Sequence, residues 1–158
     1  MRILIGAVGR MKAGPERTLA EDYLSRSRKI ARQAGITAID VTELPESAGV
    51  TAALRKDDEA LRLLAALPSG AAVLALDEDG ENVTSEDLAR FIEKRAEAGT
   101  LAFLIGGPDG HGKTVRERAE RRIAFGRATW PHRLVRVLLL EQVYRSVTIL
   151  LNHPYHRA

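Results

Sequence analysis

Residues 101–110, Leu-Ala-Phe-Leu-Ile-Gly-Gly-Pro-Asp-Gly, join a continuous apolar run to a loop of glycine, proline and aspartate. A short apolar run bounded by turn residues predicts a strand that is buried on both faces. Similar runs occur at residues 2–8 and 71–76, and a β-branched segment covers residues 36–44. Strands of this kind are typical of a parallel sheet that helices cover on both faces.

The segments between these strands have helical patterns. Thr84 or Ser85 is suited to cap a helix, because Asp87 follows Thr84 by three residues. We therefore predict an α/β fold with a mostly parallel sheet and helices on both faces, in which ligands bind beyond the carboxyl ends of the strands. Those ends fall at residues 6–12, 76–80, 106–112 and 126–131. Helices are predicted at residues 15–33, 51–67, 84–98, from about 113, and 134–151, with a short strand near 123–125.

Length and composition limit the class of protein. A chain of 158 residues has the size of one domain, so we expect residues 1–158 to form a single folded unit. Cysteine is absent, which excludes disulfides, thiol catalysis and thiolate zinc sites. The N-terminal apolar run is too short for a signal peptide, and no stretch reaches the roughly 18 apolar residues of a membrane span. We expect a soluble, cytoplasmic protein without membrane contact.

Charge is unevenly distributed along the chain. Residues 113–158 contain ten Lys and Arg against three Asp and Glu, whereas residues 1–112 contain fourteen against eighteen. The asymmetry indicates a basic end that meets a polyanion, with nucleic acid the commonest candidate. An equally weighted alternative is a solvated helix face, made by Arg116, Arg118, Arg121 and Arg122 interleaved with Glu117 and Glu120.

The segment from Gly107 to Thr114 matches the phosphate-binding pattern G-x-x-x-x-G-K-[ST] and lies between a predicted strand and a predicted helix. Three features argue against a nucleotide triphosphatase. Only 44 residues follow Thr114, and the candidate magnesium ligand, Asp77, lies upstream rather than downstream. Pro108 also removes one N–H from a loop whose function would be to present N–H groups to phosphate.

The C-terminal tail, residues 152–158, has the sequence Asn-His-Pro-Tyr-His-Arg-Ala and follows the longest apolar stretch of the chain. It contains two of the four histidines and one of the three tyrosines. These side chains stack, donate hydrogen bonds and change charge near neutral pH, so we expect the tail to complete a site. The alternative is an ordinary disordered end.

Taken together, residues 104–110, residues 134–145 and the tail strongly resemble one family along the whole chain. It is the ribosomal RNA large subunit methyltransferase H family of the SPOUT superfamily. The resemblance implies a methyltransferase that uses S-adenosylmethionine to methylate N3 of a pseudouridine in a stem-loop of large-subunit (23S) rRNA. It also implies a homodimer and a SPOUT-type fold whose C-terminal region forms a trefoil knot, a topology that is rare among proteins.

The resemblance also implies a cofactor site. Glycine lets backbone groups approach a ligand closely, because it has no Cβ. The alternative is that these glycines only close tight turns. The residues carried over to the cofactor site are Leu76, Gly106, Gly107, Gly126, Arg127, Ala128, Thr129, Trp130 and Pro131.

The tail supplies the catalytic candidates His153, Tyr155 and Arg157. N3 of pseudouridine is a poor nucleophile until its proton is lost or its anion is stabilised, which a base or a cation beside it would assist. We expect His153 or Arg157 to give this assistance and Tyr155 to position the base by stacking, while the group that takes the proton stays open. A structural role for His153 and His156 is the competing hypothesis. A metal is not expected, since no carboxylate cluster accompanies the histidines.

Apolar residues cover well over half of the circumference of the last predicted helix, more than one core requires. The excess predicts a second apolar partner, either a knotted core or another subunit. Two alternatives to an rRNA methyltransferase remain, namely a non-catalytic RNA- or ribosome-binding factor and a SPOUT methyltransferase that acts on tRNA. The candidate contacts to RNA are Arg10, Lys12, Arg133, Arg136 and His156.

Overall fold

The structure is a computed structural model and describes residues 1–157. Strands and helices alternate along the chain, as predicted. Short 3-10 turns, Arg32–Ala34 and Ala96–Ala98, follow the first and third helices. The strands are β1 (Arg2–Val8), β2 (Ala38–Leu44), β3 (Ala72–Asn82), β4 (Thr100–Ile105) and β5 (Arg121–Ala124). The α-helices are α1 (Pro15–Ala31), α2 (Ala52–Ala65), α3 (Ser85–Lys94), α4 (Lys113–Arg118) and α5 (His132–Leu150).

The five strands form one parallel sheet in the order β2-β1-β4-β3-β5. The continuous apolar runs occupy the centre, where β1, β4 and the first half of β3 are buried on both faces. Side chains of one strand alternate between two apolar clusters. Ile3 and Ile5 face the cluster that α1, α3 and α5 cover, whereas Leu4 and Val8 face the cluster under α2 and α4. The predicted fold class is confirmed, and the trefoil knot stays a prediction.

The sequence prediction was wrong about the end of β3. The predicted strand stops at the turn of residues 77–80, but β3 continues to Asn82. Leu76 and Glu81 both pair with Ile123, so the residues between them bulge out of the ladder. A Cβ on Gly80 would lie 2.6 Å from the carbonyl carbon of Ile123. Only glycine therefore fits in the bulge, where β3 lies against the backbone of β5.

The last helix buries most of its apolar surface within its own chain. It packs against α1 on one side and α3 on the other, and Val143 and Val147 are fully buried. Leu134 remains 37% exposed. The apolar excess of α5 is therefore largely explained by packing inside this chain. Of the helices described in residues 1–157, none is long and apolar enough to cross a membrane.

Candidate functional site

A cavity of about 520 Å³ opens where the apolar part of β3 ends, at Leu76, and at the carboxyl ends of β4 and β5. Its lining comes from residues 76–78, 105–111, 123–126 and 128–132, with Arg116 and Val135. The structure thus brings eight of the nine predicted cofactor residues to one cavity, and only Arg127 is not part of the lining. The volume lies within the roughly 300–1,000 Å³ of small-molecule sites.

The loop between β4 and α4 turns back on itself and is held from behind by α2. The N–H of Gly110 donates to the carbonyl of Gly107 over 2.9 Å, and a Cβ on Gly106 would lie 2.8 Å from the backbone of Gly110. Arg55 on α2 donates two hydrogen bonds to Asp109, of 2.7 and 3.2 Å. These bonds hold the pKa of the Asp109 carboxyl below its usual value.

Gly107 was predicted to be a glycine so that the backbone could approach the cofactor. The structure shows a different reason for the absence of a side chain there. Its missing Cβ points to α2, where it would lie 2.8 Å from Oε2 of Glu59 and 3.0 Å from the Val8 side chain. Glu59 is 3% exposed, and its Oε1 accepts a hydrogen bond from the N–H of Ser47 over 2.8 Å. The glycine therefore allows the loop to pack tightly on α2, with its other face toward the cavity.

Gly112 also belongs to this packing. A Cβ there would lie 2.6 Å from the carbonyl oxygen of Lys56 on α2. The second glycine of the phosphate-binding pattern is thus explained by close contact between helices, without a phosphate. The helix that follows it, α4, has only six residues.

The second predicted cofactor loop, residues 126–131, is held by hydrogen bonds at both ends. Gly126 has φ +99°, a backbone conformation that other residues rarely adopt, and its N–H donates to Oδ1 of Asn82 over 3.0 Å. The indole N–H of Trp130 donates to the carbonyl of Phe125, also over 3.0 Å. The Trp130 ring is held by this bond and is 44% exposed at the edge of the cavity.

Sequence reasoning missed two polar groups in the cavity wall. The Asp77 side chain is 2% exposed and lies 2.9 Å from Nε of Arg116 and 3.6 Å from a guanidinium nitrogen of Arg122. The His111 ring is buried and lies 3.2 Å from the carbonyl of Leu104. Burial lowers the pKa of His111, which keeps the ring neutral near pH 7. Their position was the available signal, since Asp77 directly follows a predicted strand and His111 lies in the predicted strand-end segment 106–112.

The charge asymmetry is largely internal pairing. Arg121 pairs with Glu81, Arg116 with Asp77, and Arg136 with Glu43. The basic end and the acidic body of the sequence thus neutralise each other across the fold. The cations that remain without an ion pair inside residues 1–157 include Arg10, Lys12, Arg127 and Arg133, all exposed.

Three of these cations belong to one side of the cavity. Arg10 and Lys12 follow β1, and Arg133 lies in the first turn of α5. The two segments touch, because a Cβ on Gly9 would lie 3.3 Å from Nε2 of His132, which lines the cavity.

The structure corrects the prediction that Arg136 contacts RNA. Its side chain is 3% exposed, pairs with Glu43 and donates to the carbonyl of Gly9 over 2.7 Å. Glu43 in turn accepts a hydrogen bond from the N–H of Met11 over 2.9 Å. Arg136 therefore holds the loop that carries Arg10, rather than presenting its own charge to solvent.

The tail packs against its own chain, and its described residues, 152–157, do not line the cavity. The Tyr155 hydroxyl donates to Glu141 over 3.1 Å, and His156 lies 2.7 Å from Glu86. Burial raises the pKa of the Tyr155 phenol above its usual value. His153 and Arg157 are exposed. The structure thus docks the tail but does not bring the predicted catalytic residues into the cavity of the same chain.

No group of three or more His, Asp and Glu side chains in the described part of the chain is arranged to hold a metal ion.

Known proteins resemble this chain over its whole length. The profile of the family described as "Predicted SPOUT methyltransferase" matches residues 1–156. A "Ribosomal RNA large subunit methyltransferase H" from Xanthobacter autotrophicus is 49% identical over 160 residues, covering 100% of both chains. A protein of the same name from Methylorubrum populi is 51% identical, covering 99% of this chain and 97% of the other. The solved SpoU methyltransferase AviRb from Streptomyces viridochromogenes, in complex with AdoMet, is 13% identical with a TM-score of 0.40. That match covers 92% of this chain and 59% of the other, and its similarity is too low to support an argument.

Proposed function

The chain belongs to the SPOUT methyltransferase family, and we propose that it transfers a methyl group from S-adenosylmethionine to N3 of a pseudouridine in large-subunit rRNA. The observation that carries the proposal is the convergence of the two predicted cofactor loops on one cavity at the strand ends. The names of the relatives, which are similar over the full length, support rRNA as the substrate.

The residues of the cavity fit this cofactor. S-adenosylmethionine would supply an electrophilic methyl group on a sulfonium, and it also carries an ammonium group. The Asp77 carboxylate is balanced by Arg116 and Arg122, and the neutral His111 ring adds no cation to the wall. The acidic side chain that the lining offers to a cation is therefore the exposed Glu78. Gly106 and the loop from Gly126 to Pro131 would hold the cofactor, with Leu76 at the end of its apolar strand segment.

The protein's contribution to methyl transfer is chiefly alignment of the acceptor with the methyl group. The rigid loops fix one side of that alignment. The tail would supply the other, with His153 or Arg157 stabilising the anion that forms when N3 loses its proton. Tyr155 would hold the tail in place through the hydrogen bond that its hydroxyl donates to Glu141.

We propose that the protein acts as a homodimer. Leu19 on α1, Leu134 on α5 and Trp130, four residues before Leu134 in the chain, are exposed apolar side chains that a second copy would cover. Because the tail does not line the cavity of its own chain, a second copy could bring its tail to that cavity. Sedimentation equilibrium should then give twice the monomer mass. With rRNA as its substrate, the protein would work in the cytoplasm.

The test is transfer of labelled methyl groups from S-adenosylmethionine to three substrates, namely 70S ribosomes, free 23S rRNA and tRNA. Ribosomes or 23S rRNA from a strain lacking this protein should accept the label, and mass spectrometry should locate it at N3 of a pseudouridine. Label in tRNA alone would establish the tRNA alternative. If the protein binds ribosomes but transfers no methyl group, the alternative of a non-catalytic ribosome-binding factor would be supported.

The cations beside the cavity should contribute to RNA affinity. In Arg133→Ala we expect KM for the rRNA substrate to rise about threefold to tenfold. The slope of log Kd for RNA against the logarithm of salt concentration should fall by about one, because one fewer counterion is released on binding. The affinity for S-adenosylmethionine should not change. Lys94→Ala is the matched control, because Lys94 is exposed at the C-terminal end of α3, at the opposite edge of the sheet. Equal effects of the two changes would exclude a specific RNA contact for Arg133.

A further inference from the structure

Glu141 lies at the centre of a hydrogen-bond network between α5 and the tail. Its Oε1 accepts from Nε of Arg145 over 2.9 Å and from the Tyr155 hydroxyl over 3.1 Å. Its Oε2 accepts from the Gln142 amide over 2.8 Å. The Glu141 side chain is only 15% exposed, so these bonds form largely away from water. A carboxylate with this many donors fixes each of them.

The aromatic ring of Tyr155 is held as firmly as its hydroxyl. It meets Tyr144 edge to face with ring centroids 4.7 Å apart. The guanidinium of Arg145 lies over the Tyr155 ring, 4.9 Å from its centre. Residues of α5 therefore engage the hydroxyl of Tyr155 and cover its ring with a guanidinium and a second aromatic ring, which leaves Tyr155 poorly placed to stack on an RNA base.

A second carboxylate holds the next part of the tail. His156 lies 2.7 Å from Glu86 through Nε2 and 3.4 Å from Arg145 through Nδ1. Glu86 lies in the first turn of α3, a helix start that is fixed by the reciprocal bonds of Thr84 and Asp87. The tail is thus attached to two different helices.

The start of α3, to which the tail is attached, is also linked to a loop of the cavity. The Ser85 hydroxyl donates to Gln142 over 2.8 Å, which joins the start of α3 to the Glu141 network. The residue that holds the cofactor loop, Asn82, precedes Glu86 by four positions, a span of at most about 14 Å. The start of α3 therefore sets the position of the tail relative to a cavity loop.

We propose that Glu141 and Glu86 are positioning residues, which hold the tail so that, among its ionisable and aromatic side chains, His153 and Arg157 face the RNA. The proposal rests on the proposed function and revises the roles within the tail. Tyr155 and His156 become anchors, whereas the exposed His153 and Arg157 remain to contact the substrate.

The experiment compares Glu141→Gln and Glu86→Gln with Tyr155→Phe, which removes the hydroxyl from the tail and leaves α5 intact. We expect kcat for rRNA methylation to fall at least about tenfold, because small misplacements of a reacting group are costly. The affinity for S-adenosylmethionine should stay within about twofold. Hydrogen exchange of the backbone amides of residues 152–157 should become faster. Glu93→Gln is the matched control, an exposed carboxylate on α3 whose loss should change neither rate.

The double variant Glu141→Gln, Tyr155→Phe separates positioning from a general loss of stability. If Glu141 acts through Tyr155, the double variant should be no slower than the more impaired single variant. Additive losses, a kcat close to that of the wild type, or unchanged exchange in the tail would each overturn the proposal. A wild-type protein that transfers no methyl group to rRNA would instead refute the proposed function, and hydrogen exchange would still decide whether the two carboxylates anchor the tail.

Discussion

Removal of residues 153–158 is expected to lower the rate of methyl transfer to rRNA by at least about a hundredfold, the lower range for loss of a positioned catalytic group. The apolar clusters on both faces of the sheet do not include residues 153–157. The fold should therefore persist. The lost contact between Tyr144 and Tyr155 is worth about 1 kcal/mol, which lowers Tm by a few degrees in a chain of this size.

Single changes divide this loss between the tail residues. Arg157→Ala should reduce kcat with no change in Tm, because its side chain is exposed. His153→Ala should also reduce kcat, but it removes the hydrogen bond that Nδ1 accepts from the N–H of Tyr155 over 3.2 Å, so a small fall in Tm accompanies it. Stopped-flow or filter assays on ribosomes measure the rate, and calorimetry measures both Tm and binding of S-adenosylmethionine. A truncated protein with near-normal turnover would show that the tail is an ordinary chain end, despite its contacts with Glu86 and Glu141.

The order and type of the elements could be predicted because the local signals agree with the global fold. Continuous apolar runs identify buried strands, and the pair Thr84 and Asp87 identifies the start of α3, where the structure has a reciprocal cap. The bulge before Asn82 could not be predicted. Its residues resemble a turn, whereas in the structure Glu81 and Asn82 pair with Ile123 and Ala124 of β5, and Gly80 lies against the Ile123 backbone.

The candidate site could be predicted as far as it depends on strand ends. Parallel strands all end at one edge, so Leu76, Gly106 and Gly126 had to come close together. The partners of charged side chains do not follow from this rule. Arg136 lies between Val135 and Val137 in a helix, and its burial depends on Glu43, which is 93 positions away in the chain. The position of the tail could not be predicted for the same reason, since the residues that hold it, Glu86 on α3 and Glu141 on α5, are far from it in sequence or not marked as its partners by any motif.

Gly107→Val is expected to raise the Kd for S-adenosylmethionine at least about a hundredfold, which corresponds to about 2.7 kcal/mol. The new side chain would grow into Oε2 of Glu59, 2.8 Å from the position of its Cβ, and into Val8 at 3.0 Å. Neither neighbour can move freely, because Glu59 is buried in α2 and Val8 ends a central strand. The loop must therefore shift into the cavity, which deforms the cofactor site. Overpacking of this kind costs about 1–3 kcal/mol of stability, so the protein should still fold.

Gly35→Ala is the matched control for this prediction. Gly35 has φ +74° and no neighbour within 4 Å of a Cβ, so alanine there costs about 1–2 kcal/mol through the backbone alone. Calorimetry should show a lower Tm for both variants but weak cofactor binding only for Gly107→Val. Gly107→Ala should give a smaller loss, part of which is recovered when Glu59→Ala removes the obstructing carboxylate. Wild-type affinity in Gly107→Val would show that this loop does not shape the cofactor site.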